Sequence, residues 1–135
     1  MIAIVDSGPL YAAVDADDDD HERCVEVLGR ADLELVIPAL VVAEVTYLVG
    51  RRMGPIVEST FLRSLASVEI EAPTPDDWFR IADLVERYAD FPLRGTDASV
   101  VALAERLGTE MILTLDRRHF SAVRSASLGP LRLLP

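Results

Sequence analysis

Four acidic side chains stand where acids are out of place. Glu44 lies inside Leu40-Val41-Val42-Ala43-Glu44-Val45, Asp6 follows Met1-Ile2-Ala3-Ile4-Val5, Asp116 follows Met111-Ile112-Leu113-Thr114-Leu115, and Asp97 begins an apolar helical run. A lone buried carboxylate costs several kcal/mol, so it must be neutralised, paired or bound to a metal. Taken singly, each acid has an ordinary reading: Asp6 and Asp116 as loop caps, Asp97 as a first-turn acid, Glu44 as the partner of an arginine. Gathered on one side of a sheet, the four would repel unless a cation offset them. Mg²⁺ and Mn²⁺ are the natural candidates, because they take oxygen ligands, keep several waters and share their sites with substrate phosphates. Such an ion lowers the pKa of coordinated water, aligns it for attack on phosphorus and offsets transition-state charge. The chemistry suggested is phosphoester hydrolysis.

Alternating apolar runs and amphipathic segments supply the elements that must carry these acids. Residues 2–5, 35–37, 68–70, 111–115 and 131–134 read as strands, the first ending in a turn at Asp6-Ser7-Gly8-Pro9. Residues 21–30, 39–49, 55–65, 74–88, 97–107 and 118–123 read as helices. The 39–49 helix is apolar nearly all round, which suggests lodging between layers, and the 55–65 helix turns Ile56, Phe61, Leu62 and Leu65 inward. Thr74-Pro75-Asp76-Asp77 is a strong helix start, and Thr96 is the expected cap of the helix carrying Asp97. Strands alternating with helices indicate a three-layer α/β/α sandwich around a mostly parallel sheet, in one domain covering residues 1–135. In such folds the ligand crevice lies beyond the carboxyl ends of the strands, where Asp6 and Asp116 emerge.

Composition narrows the choice. The 135 residues carry a net charge of −10, opposite to the basic footprint of a passive nucleic-acid binder. Six acids crowd between Asp15 and Glu22, where mutual repulsion favours an exposed loop or helix start. Outside that run and the four acids above, 13 acids balance 13 arginines. The sequence has no lysine, asparagine or glutamine, so neither a P-loop nor a receiver-type phosphorylation site can be built in its usual form. The tail from Arg117 to Pro135 has four arginines and no acid, a local excess that suits a polyanion or a solvated surface. The lone Cys24 excludes an internal disulfide or thiolate cluster and reads as a small apolar side chain. No export signal or membrane-spanning run is visible, so a cytoplasmic location is expected.

Asp6-Ser7-Gly8-Pro9-Leu10, Glu44 after the second strand, Gly95-Thr96-Asp97-Ala98 and Leu113-Thr114-Leu115-Asp116-Arg117-Arg118-His119-Phe120 together resemble the successive signatures of PIN-domain ribonucleases. The likeness is strongest to VapC-type toxins of bacterial toxin–antitoxin pairs and runs along essentially the whole chain. The resemblance implies a Mg²⁺- or Mn²⁺-dependent endoribonuclease that cuts structured RNA such as transfer or ribosomal RNA, forms a homodimer and is restrained by a cognate antitoxin. It assigns Asp6, Glu44, Asp97 and Asp116 to the catalytic metal site. Ser7, Thr114, Arg117 and Arg118, with Arg94, become candidate substrate contacts. His119 reads as a neighbour packed by Phe120 rather than a base, and His21 as exposed. A metal-dependent hydrolase of small phosphoesters and a non-catalytic PIN-like binding module are the alternatives. A haloacid-dehalogenase site is disfavoured, because Gly8 stands where its second aspartate belongs and its lysine is missing.

Overall fold

The computed structural model describes residues 1–135, which form five strands and seven helices. The strands are β1 (Ile2–Val5), β2 (Glu34–Pro38), β3 (Glu69–Glu71), β4 (Met111–Leu113) and β5 (Arg132–Leu134). The helices are α1 (Ser7–Val14), α2 (His21–Leu28), α3 (Ala39–Met53), α4 (Pro55–Ser64), α5 (Pro75–Arg87), α6 (Gly95–Leu107) and α7 (Arg117–Ala122). All strand pairings are parallel, in the order β3-β2-β1-β4-β5. Parallel neighbours need helical crossovers, and right-handed crossovers place α1 to α4 on one face of the sheet and α5 to α7 on the other. The expected α/β/α sandwich is thereby formed. No helix is long and apolar enough to cross a membrane.

Strand order reverses between β1 and β4, so the loops leaving these two strands diverge and open a crevice between them. Asp6 follows β1 and Asp116 lies just beyond β4, which puts both acids at this point.

Three expectations about the elements change. A helix starts immediately after Asp6, where a turn was expected: α1 begins at Ser7 and tolerates Pro9 in its first turn, whose backbone N–H groups have no intrahelical partner anyway. The 39–49 helix is not buried all round. Only Val41, Val45 and Val49 are fully buried, one stripe at four-residue spacing, while Ala43, Glu44 and Tyr47 are exposed. The helix lodged in the core is α6, in which every residue from Ala98 to Leu103 is buried and Ala104 with them. It packs on β1, β2 and β4 as well as on α3 and α5, which shuts its middle off from water while its two ends stay partly exposed. On α4 only Phe61 turns fully inward, and Ile56 (79% exposed) and Leu62 (45% exposed) face solvent.

Capping also departs from expectation at α6. Arg94, not Thr96, occupies the N-cap position, because Asp97 sits three residues on and its Oδ2 accepts the Arg94 N–H at 3.2 Å. The cap of α5 is as read: Thr74 and Asp77 exchange hydrogen bonds of 3.0 and 3.1 Å. His21 is half-buried rather than exposed, its Nδ1 lying 2.7 Å from the Ala12 carbonyl. Cys24 is fully buried, as its apolar reading required.

Candidate active site

Asp6, Glu44, Asp97 and Asp116 line one open cleft of about 460 Å³, together with Ser7, Gly8 and Leu115. They come from four places in the chain: the end of β1, the middle of α3, the first turn of α6 and the N-cap of α7. The cleft floor is tightly built. A Cβ on Gly8 would lie 3.2 Å from that of Leu115, so a side chain there would press on the loop carrying Asp116.

The four carboxylates differ in burial. Asp6 is only 6% exposed, whereas Glu44 is exposed, which reverses the expectation that Glu44 was the buried acid. The residues flanking Glu44 are apolar because neighbouring positions on α3 turn into the core, not because Glu44 does. Asp6 is held from two sides. Its backbone N–H donates to the Leu113 carbonyl at 2.9 Å, and its Oδ2 accepts the Thr114 hydroxyl at 2.7 Å. Thr114 is 1% exposed, and its Oγ1 also accepts the Asp116 N–H at 2.9 Å, so it links two of the acids from behind. A side chain so enclosed supports the two acids from behind the cleft. The Ser7 hydroxyl donates to Glu44 Oε2 at 2.9 Å and ties α1 to α3 across the cleft.

Asp116 has both oxygens engaged by His119. Oδ1 accepts the His119 backbone N–H at 3.0 Å, the ordinary helix cap, and Oδ2 lies 2.7 Å from Nδ1 of the same residue. The His119 ring in turn packs against Phe91, with centroids 4.9 Å apart. The sequence alone gives His119 as a neighbour packed by Phe120; the signal for its link to Asp116 was the spacing, because N-cap and third helical residue are the positions that meet at a helix start. Arg94, Arg117 and Arg118 are exposed; Arg118 lies over the Phe91 ring at 5.5 Å, and Arg117 donates to the Pro135 carbonyl.

The electrostatics follow from this crowding. Burial pushes the Asp6 carboxyl up to about 6, and the charges of Asp97 and Glu44 push the same way, against the opposing hydrogen bonds from Thr114 and the Ser7 backbone. Burial likewise raises Asp97 above the usual carboxylate range, helped by Asp116 and Glu44 and opposed by the Arg94 N–H and His119. No arginine forms an ion pair with any of the four acids. The donors facing the cleft are all oxygens, the set that suits a hard divalent cation. No three His, Cys, Asp or Glu side chains are arranged to ligate one ion directly. An ion here would be held by these carboxylates partly through waters of its own, as Mg²⁺ commonly is.

Residues 3–125 match the PIN domain family model. The chain belongs to the PIN-domain family. This PIN domain is 38% identical over 134 residues to Ribonuclease VapC26 of Mycobacterium tuberculosis (strain ATCC 25618 / H37Rv), with 98% of this chain and 99% of that protein covered. Among solved structures it resembles VapC20 of Mycobacterium tuberculosis, a Sarcin-Ricin loop cleaving toxin, with a TM-score of 0.76 at 20% identity over 82% of this chain and 86% of that one. It resembles VapBC2 from Rickettsia felis, bound to a DNA fragment from their promoter, with a TM-score of 0.75 at 17% identity over the whole of both chains. At these identities the structural likenesses establish the PIN fold.

Proposed function

We infer that this PIN domain is an endoribonuclease toxin of the VapC type, dependent on Mg²⁺ or Mn²⁺. The observation that carries the reading is the meeting of four carboxylates without a paired arginine in one solvent-open cleft at the switch point of the sheet. The 38% identity to a ribonuclease along nearly the full length of both chains supports the same activity here. Asp6, Glu44, Asp97 and Asp116 would hold the ion, which when bound supplies Lewis-acid charge and an activated nucleophile for attack on phosphorus. Thr114 and Ser7 keep the Asp6 and Glu44 carboxylates in place, so little reorganisation is needed when a cation enters. Exposed Arg94, Arg117 and Arg118 lie next to the acids in sequence and suit RNA phosphates.

A cognate antitoxin would restrain the enzyme by laying a segment over the early helices, roughly residues 25–65, and placing a cationic side chain among the acids. A cluster of carboxylates attracts arginine or lysine as it attracts a metal, so inhibitor and ion compete.

The test is incubation of the purified protein with a structured RNA and, separately, a chromogenic phosphodiester, under EDTA and under Mg²⁺ or Mn²⁺. Internal RNA cleavage that disappears with EDTA and returns with Mn²⁺ is expected. Hydrolysis of the small ester alone would favour a small-phosphoester hydrolase, and no hydrolysis of either would favour a binding module.

A further inference from the structure

We propose that His119 is a positioning residue that sets the spacing of Asp116 from Asp97 by bridging Asp116 to the loop that leads into α6. The proposal rests on the functional reading above. Because an ionised carboxylate only accepts hydrogen bonds, Nδ1–H of His119 donates to Asp116 Oδ2 at 2.7 Å. The opposite side of the bridge is the packing of the imidazole on Phe91, which belongs to the loop between α5 and α6. That loop ends at Arg94, whose N–H holds Asp97 Oδ2. Phe91 is itself covered by the Arg118 guanidinium, so the stack has a partner on α7 at both ends.

The path Asp97, Arg94 backbone, Phe91, His119, Asp116 therefore connects two acids that repel one another. Thr114 does the equivalent work between Asp6 and Asp116, and nothing else in the hydrogen-bond pattern relates α6 to the start of α7 at the cleft. Removing the bridge would let Asp116 swing away from Asp97. The consequence is weaker ion binding with the protein surface that meets RNA left unchanged.

The experiment measures Mn²⁺ affinity of the full chain by electron paramagnetic resonance of free Mn²⁺, and kcat and KM on a structured RNA at saturating Mn²⁺. Two substitutions separate the parts of the bridge. His119→Phe keeps an aromatic ring against Phe91 and removes the donor; His119→Asn keeps a donor near Nδ1 and removes the ring. Outer-shell changes of this kind typically weaken metal affinity or activity about 10–100-fold. His119→Phe should raise the Mn²⁺ Kd and lower kcat by roughly tenfold while the RNA KM changes by less than about twofold. His119→Asn should recover at least half of that loss on a logarithmic scale. Phe91→Ala, which leaves the donor in place, should raise the Mn²⁺ Kd by about threefold and guards against a His119→Phe variant that fails to fold. Wild-type Mn²⁺ affinity in folded His119→Phe or Phe91→Ala overturns the proposal, and so does a loss confined to RNA KM. Wild-type protein that neither binds Mn²⁺ nor cuts RNA removes the functional reading and this inference together. An active wild type that Asp97→Asn inactivates, beside an unaffected His119→Phe, removes this inference alone.

Discussion

On the flank formed by α5, α6 and β3, three acids each meet an arginine. Arg106 Nε donates to Asp77 at 2.9 Å and its Nη2 reaches Glu71 at 3.4 Å, while Arg80 grips Glu105 with bonds of 2.8 and 2.9 Å. In the cleft, Asp6, Glu44, Asp97 and Asp116 meet hydroxyls, backbone N–H groups and one imidazole. The net effect on the carboxyls is opposite in the two places. Burial raises Glu105, yet hydrogen bonds from Arg80 and Ser125 bring it below its usual range; burial raises Asp6 and Asp97, and their acidic neighbours raise them further. Space differs too. The void beside Asp77 and Arg106 measures about 10 Å³, scarcely room for one water, against about 460 Å³ in the cleft. One region has its counter-charges built in; the other leaves its anions open to a cation from solution. In Asp6 and Asp97 the cost of burying an acid without a counter-charge coincides with a place on the open cleft, the combination that marks candidate functional sites.

The sharpest way to break this contrast is Asp97→Asn. It should reduce RNA cleavage by more than the roughly hundredfold upper range of outer-shell changes, with the melting temperature held or raised as repulsion is relieved. A neutral variant that cuts at the wild-type rate contradicts the assignment. The next effect is on pH. With its folded pKa about 6 against an ordinary 3.8, Asp6 binds its proton more tightly in the folded state. Its contribution to stability is complete below about 3.8 and is lost as pH rises through about 6. In EDTA, wild type should therefore lose up to about 3 kcal/mol relative to Asp6→Asn between pH 4 and 7, read from paired denaturant titrations. No divergence between the two pH profiles would place Asp6 in an ordinary environment.

Arg106→Ala should do the reverse of the cleft substitutions. It strands Asp77 and Glu71 and should lower stability by about 2 kcal/mol, with metal-dependent cleavage retained per folded molecule. A variant that melts like wild type would show that the flank does not depend on its ion pairs. The smallest effect is expected from Ser7→Ala, which frees Glu44 from a single surface hydrogen bond: less than about 1 kcal/mol in stability and less than about tenfold in kcat. A larger fall would give Ser7 a direct place in the reaction.

Identification of the four acids depended on local contrast, an acid beside an apolar run, and that contrast is visible without coordinates. It identified Glu44 for an incorrect reason. The α3 stripe of Val41, Val45 and Val49 leaves Glu44 outside, and the residue that carries the burial penalty is Asp6. The lack of hydroxyl and imidazole partners in the sequence reading has a simple cause: Thr114 is 108 positions from Asp6 and Ser7 is 37 from Glu44, so no spacing rule connects them. His119 was within reach of such a rule, being three residues from Asp116, but its packing on Phe91 was not.

The linear chain by itself determined most of the elements, α1 excepted: short apolar runs became strands, Thr74-Pro75 began α5, and the alternation of strands with helices required a parallel sheet. Only the tertiary structure decided which helix is enclosed and which acids converge. Periodicity describes one segment against an unspecified interior, whereas burial depends on which strands lie underneath, and the order β3-β2-β1-β4-β5 placed α6 over the middle of the sheet and opened the cleft between β1 and β4.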